Sequence, residues 1–278
     1  MNKILSQTRW LLFLLLLCAC NATTASDLVG QGSTVVERIA TPPGYERIEV
    51  DPASFGAWIR ALPLRPPGTR VFWYNGVPKP NQEVVVAVYD IDVGERDLQQ
   101  CADIAIRFRA EYLYDRGLYD SISFNFTNGD TVSFRRWIEG WRPQVDGNVV
   151  TWHREAEPDS SQQALAQYLH EVYMYAGSYS LSQQLPRRED ACHVRIGDIF
   201  VEGGFPGHVV IVVDVAVDTV DSDRRIFLLA QGFTPAQDIH VLRNPGNDEI
   251  GPWYDCRIGD SLVTPEWEFK DEWLRRWE

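Results

Sequence analysis

The stretch RIGDIFVEGGFPGHVVIVV, residues 195–213, constrains the fold more than any other part of the chain. An apolar segment runs into a Gly/Pro turn, and a histidine, His208, then opens an uninterrupted apolar run. A valine-rich run bounded by turn residues is typical of a buried strand. We therefore expect strands over 196–202 and 208–217, followed after an acidic turn by a third strand over 225–231.

The first half of the chain carries the helical patterns. The longest predicted helix covers 97–114, and a second covers 160–177 with Gly177 as its C-cap. Between them, Asn128-Gly129 separates two alternating segments and predicts a hairpin with a type I′ turn. A helix-bearing first half and a strand-rich second half predict the α+β class. The other predicted elements are a helix over 54–62 and strands over 71–74 and 83–90.

The N-terminus has the pattern of a secretion signal. Lys3 and Arg9 provide a positive flank, and residues 10–17 form an apolar run that is too short to span a bilayer. The run ends in LCACN, which resembles a bacterial lipobox with Cys20 as the lipidated residue. Asn21 after this cysteine favours the outer membrane of a Gram-negative cell, with the domain facing the periplasm. The alternative is a soluble exported protein that is cleaved nearby.

The predicted layout is a signal peptide over 1–19, a polar tether over 20–43 and one α+β domain over 44–278. The formal net charge is −13 for the whole chain, and loss of the two cationic residues of the signal makes the mature part −15. Such an acidic protein repels nucleic acid and anionic lipid surfaces. We therefore expect no nucleic-acid partner, and membrane contact through the lipid anchor alone.

The five cysteines do not have equivalent roles. Cys18 leaves with the predicted signal and Cys20 carries the lipid, so three remain. Two of three tend to pair in an oxidising compartment, and if Cys192 and Cys256 form a disulfide, Cys101 stays free. Catalysis is one reason for a free thiol there, and simple burial is another.

The chain lacks the CxxC and HxxxH spacings of zinc sites, so no metal or cofactor is expected.

Three residues form a candidate catalytic site. Asp97 is the predicted N-cap of the first long helix, with Gln100 completing a capping-box pattern, so Cys101 is expected as the fourth helical residue, where the dipole favours a thiolate. Pairing of the last two strands places Gln231 opposite His208 or within a residue or two of it, where Gln231 accepts a hydrogen bond from the imidazole. The alternative is a small buried cysteine and two strand-end residues whose polar groups are satisfied by backbone.

Cysteine on a helix start followed by histidine on a strand start is the order of papain-like cysteine hydrolases. Several long stretches also resemble the uncharacterised bacterial family DUF4846, for which no activity is established. These stretches cover most of residues 41–278: DLQQCADIAIRFRAEYLY, AGSYSL, IGDIFVEGGFPGHVVIVVDVA, LLAQGFTPAQDIHVL and TPEW.

More distantly, the segment GDIF…GHVVIVV is similar to the core of NlpC-type and CHAP-type cell-wall peptidases. This resemblance implies a papain-like fold, in which a helix bearing the nucleophile packs on an antiparallel sheet. It maps Cys101 to the nucleophile, His208 to the base and Gln231 to the third polar residue. Those enzymes usually carry Asp-Cys where this chain has Gln100-Cys101, and their cysteine and histidine are closer in sequence.

Two functions follow as expectations. The first is a cysteine hydrolase that cleaves amide bonds of the cell envelope, such as those of peptidoglycan stem peptides. In it, the Cys101 N–H and the Gln99 or Gln100 side chain hold the oxyanion, and Arg109 binds a substrate carboxylate. Asp214 is an alternative to Gln231 as the third group. The second function is a non-catalytic lipoprotein that binds envelope glycan, peptide or a protein partner in the same cleft.

Overall fold

The computed structural model describes residues 28–270 and 273–278 of the chain. The predicted signal peptide over 1–19 and the predicted lipidation site Cys20 lie outside these residues. None of the helices in the described ranges combines the length and the apolar composition that crossing a membrane requires.

The described residues have the expected α+β composition. The helices are α1 (Val35–Arg38), α2 (Phe55–Ala61), α3 (Cys101–Asp115), α4 (Phe134–Ile138), α5 (Gln162–Tyr175) and α6 (Ser178–Gln184). The strands are β1 (Tyr45–Arg47), β2 (Val85–Val88), β3 (Ser123–Asn125), β4 (Thr131–Ser133), β5 (Trp141–Asp146), β6 (Val149–Arg154), β7 (Ile199–Glu202), β8 (His208–Asp218), β9 (Arg225–Gln231), β10 (His240–Leu242), β11 (Tyr254–Asp255), β12 (Ser261–Val263), β13 (Glu268–Lys270) and β14 (Leu274–Arg275).

The main sheet has the strand order β14-β7-β8-β9-β10-β2, and the pairings among its described strands are antiparallel. β8 and β9 are its long central strands. β7 and β1 share one edge of β8, whereas β10 and β11 share the far edge of β9. Three separate hairpins, β3–β4, β5–β6 and β12–β13, lie outside this sheet.

The centre of the sheet is its most buried part. Residues 208–216 of β8 are buried, and α2 and α3 both pack against this strand. Every residue of β9 after Arg225 is buried as well. The predictions of strands over 208–217 and 225–231 are therefore confirmed, since a run without polar alternation fits a strand covered on both faces.

A buried carboxylate interrupts the apolar run of β8. The register with β9 shifts between Val212 and Asp214, and the Asp214 side chain is fully buried. Asp214 forms ion pairs with Arg47 of β1 at 2.7 Å and with Arg60 of α2 at 2.6 Å. This carboxylate therefore ties an edge strand and a helix to the central strand.

The predicted type I′ turn at Asn128-Gly129 is wrong. The register pairs Asn125 with Thr131, which leaves residues 126–130 in the loop, and no described non-glycine residue has a positive φ. A type I′ turn needs a positive φ at both central positions. The Asn128 side chain instead accepts a hydrogen bond from the Asp130 N–H at 3.1 Å, which stabilises a different turn.

Two other local predictions also fail. Residues 71–74 make only isolated bridges, Phe72 with Pro78 and Trp73 with Gln237, instead of a strand. Gly177 does not end α5 in a left-handed conformation, because its φ of 175° is extended. It is the N-cap of α6, and its N–H donates to Ser180 Oγ at 2.9 Å. α6 has no counterpart among the predicted elements because its sequence, SYSLSQQ, lacks an apolar stripe.

Residues 28–43 fall within the predicted tether but pack against the domain. Val35 of α1 and Ile39 are fully buried. The Ala40 carbonyl accepts a hydrogen bond from Trp253 Nε1 at 2.9 Å, and the Ile39 carbonyl accepts one from Arg47. These residues therefore pack as part of the same domain.

Replacing Asp214 with asparagine should lower the free energy of unfolding by about 3–5 kcal/mol, because two partly buried arginines would lose their charged partner. Urea denaturation followed by tryptophan fluorescence measures this loss. Asp218→Asn on the same strand is the matched control. Asp218 lies 4.0 Å from Arg224 near the surface, so its loss should stay below about 1 kcal/mol. Equal losses in the two variants would contradict the role given to Asp214.

Candidate functional site

The helix that carries Cys101 begins at this residue. Gln100 is the N-cap, and its N–H donates to Asp103 Oδ2 at 2.9 Å. The prediction that Asp97 caps the helix is therefore wrong, and Cys101 is the first helical residue, not the fourth. The N–H groups of a first turn have no partner within the helix, and those of Cys101 and Ala102 act on the thiol itself.

Asp97 has tertiary partners that replace the predicted capping interaction. Its Oδ1 accepts hydrogen bonds from the Ala236 N–H at 2.7 Å and from Gln100 Nε2 at 3.0 Å. Gln100 Oε1 in turn accepts a hydrogen bond from Thr234 Oγ1 at 2.9 Å. Asp97 and Gln100 therefore fasten the start of α3 to the loop that follows β9. Gln100 Nε2 uses one of its two N–H groups for Asp97, and the other has no partner among the described residues.

The Cys101 thiol is free, and the residue is partly exposed. Burial raises the pKa of the thiol to about 11, and the neighbouring Asp103 carboxyl acts in the same direction. The backbone N–H groups of Val209, Ala102 and Cys101 itself work against this rise in pKa. The thiol is therefore protonated at neutral pH. A helix dipole provides only about 0.3–1 kcal/mol, which is too little to offset desolvation.

The pairing of β8 with β9 brings the side chains of His208 and Gln231 together. Extending the register beyond Ile211↔Ala230 places Gln231 diagonally to His208, on the same face of the sheet. His208 Nε2 and Gln231 Oε1 lie 2.8 Å apart. Asp214 is not the third group, because two arginines occupy its carboxylate on a distant part of β8.

Glu266 extends this pair into a buried polar chain and was not among the predicted site residues. Gln231 Nε2 donates to Glu266 Oε2 at 2.6 Å, and Glu266 Oε1 pairs with Lys79 Nζ at 2.6 Å. A carboxylate accepts hydrogen bonds only, so the amide oxygen of Gln231 must face His208, whose Nε2 then carries the proton. The other ring nitrogen, Nδ1, keeps a lone pair. Glu266 belongs to the TPEW stretch, one of those that resemble the family. The sequence did not indicate that this glutamate contacts Gln231.

Aromatic rings cover His208. The ring centroids of Phe233, Trp267 and Phe269 lie 4.8, 5.2 and 5.8 Å from that of the imidazole. Burial lowers the pKa of His208 to about 4; the Gln231 hydrogen bond opposes this, and the Lys79 charge adds to it. The imidazole is therefore neutral at pH 7.

A second buried histidine lies next to this chain. His240 Nε2 lies 3.5 Å from Gln231 Nε2, and His240 Nδ1 lies 3.0 Å from the Asp238 carbonyl oxygen. Burial lowers the pKa of His240 to about 3. Both imidazoles beside Gln231 are thus uncharged. The Lys79–Glu266 ion pair is therefore the charged end of this series of hydrogen bonds.

The structure brings Cys101 to the residue next to His208. No hydrogen bond joins the sulfur to the imidazole within the described ranges, and His208 Nδ1 has no hydrogen-bond partner there. The Val209 N–H, on the residue after His208, is close enough to the Cys101 sulfur to lower its pKa. Of the predicted trio, the structure joins His208 to Gln231, and the start of α3 lies against the opposite face of the sheet, at Gly232.

The remaining predicted residues lie away from the thiol. Arg109 is two turns along α3 from Cys101, about 12 Å, and its Nη2 donates to the Glu278 carbonyl at 2.7 Å. Cys192 and Cys256 form a disulfide. In the part of the chain that the structure describes, no group of three or more His, Cys, Asp or Glu residues is arranged to hold a metal ion.

Replacing Glu266 with glutamine should lower the free energy of unfolding by about 3–5 kcal/mol, because Lys79, only 4% exposed, would remain buried without a counter-charge. The double variant Lys79→Met with Glu266→Gln should recover most of this loss, since no buried charge is left unpaired. Urea denaturation of the single and double variants measures the difference. The control is Asp221→Asn in the exposed pair with Arg257, for which less than about 1 kcal/mol is expected. A double variant as unstable as the single one would refute this role of the pair.

Replacing Asp103 with asparagine should make the protein less sensitive to rising pH. Burial raises the pKa of Asp103 to about 8 from an ordinary value of 3.8. The folded state therefore holds this proton more tightly, and the stability it contributes is lost as pH rises from about 4 through about 8. Asparagine keeps an acceptor for the Gln100 N–H and cannot ionise. The unfolding free energy of the variant minus that of the wild type should thus grow by a few kcal/mol (about 1.4 per pKa unit) across this range. A constant difference would show that the pKa is not raised.

Comparisons with known proteins identify the family of this chain. Neither the curated proteins nor the solved structures provided a match. The sequence model of DUF4846, a domain of unknown function, matches residues 35–276, which is most of the chain. The chain therefore belongs to the DUF4846 family.

Proposed function

We propose that this chain is a lipid-anchored cell-envelope protein with a papain-like cysteine hydrolase site that cleaves amide bonds. Cys101 is the nucleophile, His208 the base and Gln231 the group that orients the base. The observation that carries this proposal is the 2.8 Å contact between His208 Nε2 and Gln231 Oε1 on neighbouring strands, with α3 beginning beside Val209. A nucleophile, a base and a third group that orients the base are the parts that this chemistry needs.

The tautomer of His208 supports its role as a base. The proton on Nε2 is held toward Gln231, so the lone pair on Nδ1 is available to accept the thiol proton. The sulfur then attacks the amide carbonyl, and a C–S bond forms. The proton moves from the imidazole to the departing nitrogen as the C–N bond breaks. Water, deprotonated by the same imidazole, later cleaves the thioester and releases the acid.

The oxyanion of the intermediate would lie at the start of α3. The Cys101 N–H belongs to the first helical residue, so the helix itself provides no acceptor for it. A backbone N–H in this position is a suitable oxyanion donor. The Gln100 side-chain amide would add a second donor, because Nε2 uses only one of its two N–H groups for Asp97.

Sequence patterns support the proposed envelope location and substrate class. The signal and lipobox patterns would place an acidic domain at the periplasmic side of a membrane. Peptidoglycan stem peptides contain amide bonds, and a domain tethered there would meet them. The resemblance to NlpC-type and CHAP-type peptidases supports the same substrate class. The anchor would hold the enzyme within reach of its substrate.

One observation favours the second candidate function, a module that binds envelope peptide, glycan or protein without cleaving it. Burial raises the pKa of the Cys101 thiol to about 11, and the sulfur has no hydrogen bond to His208 within the described ranges. A thiol in this state reacts slowly unless a ligand changes its surroundings. Amide cleavage is therefore the measurement that decides between the two functions.

Incubation of the chain with purified stem peptides should release new amino groups, detected by mass spectrometry. Cys101→Ala should abolish the release, and His208→Ala should reduce it by about 10²–10⁴-fold. Activity should fall as pH drops through about 4, where His208 gains a proton and no longer accepts one from the thiol.

The matched control for the histidine is His153→Ala on β6, which removes an exposed imidazole and should leave the release unchanged. No release by the wild type, together with equal peptide binding by the wild type and Cys101→Ala, would reject the enzyme in favour of the binding module.

A further inference from the structure

A cavity of about 710 Å³ lies between α3 and α5, and Trp58 of α2 also lines it. Its volume is typical of sites for small molecules, which span about 300–1,000 Å³. Neither Cys101 nor His208 belongs to its walls. The cavity is therefore separate from the candidate catalytic residues, and its own side chains determine what it can bind.

Three polar atoms in the cavity walls have no hydrogen-bond partner in the described part of the chain. Arg107 Nε donates to Glu111 Oε1 at 2.7 Å, which leaves Arg107 Nη2 and Glu111 Oε2 unpaired among the described residues. The hydroxyl of Tyr173 makes no hydrogen bond there either, although the residue is only 9% exposed. Some buried polar atoms are sealed from solvent without a partner, but none of these three is among them. Because their residues line the cavity, a ligand can reach all three.

The three atoms suit the hydroxyl groups of a ligand. A guanidinium only donates, a carboxylate only accepts, and a hydroxyl does both. Arg107 and Glu111 form one ion pair, so the unpaired donor and the unpaired acceptor are neighbours. Burial raises the pKa of Tyr173 well above its ordinary value, and the charges of Arg107 and Glu111 also act on it, so a neutral hydroxyl lies close to the pair. Two adjacent hydroxyls on one ligand could bind the donor and the acceptor at the same time.

The charges of the cavity walls disfavour an anionic ligand and a cationic one. Two guanidinium groups against four carboxylates give the walls a formal charge of −2. These residues are Arg96, Arg107, Asp92, Glu95, Glu111 and Asp115. The imidazole of His170 adds no charge at pH 7, because burial and the charges of Arg96 and Arg107 lower its pKa. The excess of negative charge repels an anion, whereas the unpaired Nη2 of Arg107 repels a cation beside Glu111. A neutral ligand is therefore favoured.

Apolar and aromatic side chains form much of the remaining wall. Leu165 and Leu169 of α5 line the cavity. Trp58 Nε1 donates to Asp115 Oδ2 at 2.8 Å, which fixes the orientation of the indole. The C–H faces of a sugar ring pack well against an indole, and an acetamido methyl group packs well against leucine side chains. The cavity thus combines groups that bind hydroxyls with surfaces that suit an N-acetylated sugar.

We infer that this cavity binds a neutral oligosaccharide that carries acetamido groups. Arg107 Nη2 donates to one sugar hydroxyl, Glu111 Oε2 accepts from a second, and the Tyr173 hydroxyl binds a third polar group. The two leucines and Trp58 contact the acetamido methyl group and the ring faces. The inference goes beyond the proposed function and does not depend on it, because no bond of the sugar is cleaved and no candidate catalytic residue takes part.

Isothermal titration of triacetylchitotriose into the wild-type chain measures this binding, and a Kd below about 1 mM is expected. Cellotriose has the same linkage and ring faces but carries hydroxyls in place of the acetamido groups. It should bind at least about fivefold more weakly, because it loses the apolar contacts of the methyl groups. The deacetylated trimer, which carries amines at these positions, should also bind more weakly than triacetylchitotriose.

The variant Tyr173→Phe tests whether the sugar lies in this cavity. It removes a hydroxyl that has no partner in the described part of the chain, so the fold loses no hydrogen bond there. Affinity for triacetylchitotriose should fall by about fivefold or more, because a polar group of the ligand loses its partner. The matched control is Tyr179→Phe on α6, which removes a hydroxyl from an exposed residue outside the cavity and should change the affinity by less than about twofold.

No binding of triacetylchitotriose at about 5 mM, equal affinity for cellotriose, or equal affinity in Tyr173→Phe would overturn the inference. Tighter binding of the deacetylated trimer would assign the cavity to a cation and overturn it as well. These results are distinguishable from failure of the proposed function. Sugar binding that persists in Cys101→Ala supports the cavity site whether or not stem peptides are cleaved.

Discussion

Backbone pairing along β8 is the constraint on which the rest of the structure depends. A strand that is buried on both faces must satisfy its N–H and C=O groups within the protein. The Val212 N–H donates to Asp198 on the β7 side, so Val209, an odd number of residues away, directs its N–H toward β9. The pairing with β9 stops at Ile211↔Ala230, so the Val209 N–H has no partner on β9 and instead lowers the pKa of the Cys101 thiol. The candidate site thus lies where β8 extends past its neighbour and α3 begins.

The polar chain from Lys79 to His208 satisfies the same requirement for side chains. An ammonium group only donates and a carboxylate only accepts, so the direction of each hydrogen bond through Glu266 and Gln231 is fixed. A chain of this kind is stable only when every member has its partner. Its effect on chemistry is to place the imidazole proton on Nε2 and, through the Lys79 charge, to help keep the ring neutral.

The central sheet could be predicted because burial and local pattern agree there. The apolar runs that became β8 and β9 have no polar alternation, and their Gly/Pro and acidic turns mark their ends. Counting residues on either side of the turn between these two strands was then enough to predict that Gln231 lies near His208. The start of α3 could not be predicted in the same way. Asp97 has the features of a cap, but its carboxylate binds the Ala236 N–H, which is distant in sequence.

Glu266 illustrates the same limit at the site itself. Glu266 lies in a loop, where no repeating sequence pattern indicates which residues are its neighbours. The 2.6 Å contact with Gln231 is visible only in the folded protein. Gly177 gave a misleading signal because a glycine after a helix is typical both of a C-cap and of a short break before another helix. Interactions within one element were thus predictable, whereas those that depend on tertiary partners were not.

The protonation states of the site would suit a free thiol in the oxidising compartment that we propose for this protein. Oxidants react with the thiolate, so a thiol whose pKa is raised to about 11 is protected at neutral pH. The burial that raises this pKa also lowers that of His208, which disfavours a resting thiolate–imidazolium pair. Proton transfer from Cys101 to His208 would then have to accompany attack on a bound carbonyl, where the developing oxyanion receives donors at the start of α3. In the proposed enzyme, binding of the correct ligand and activation of the nucleophile would be the same event.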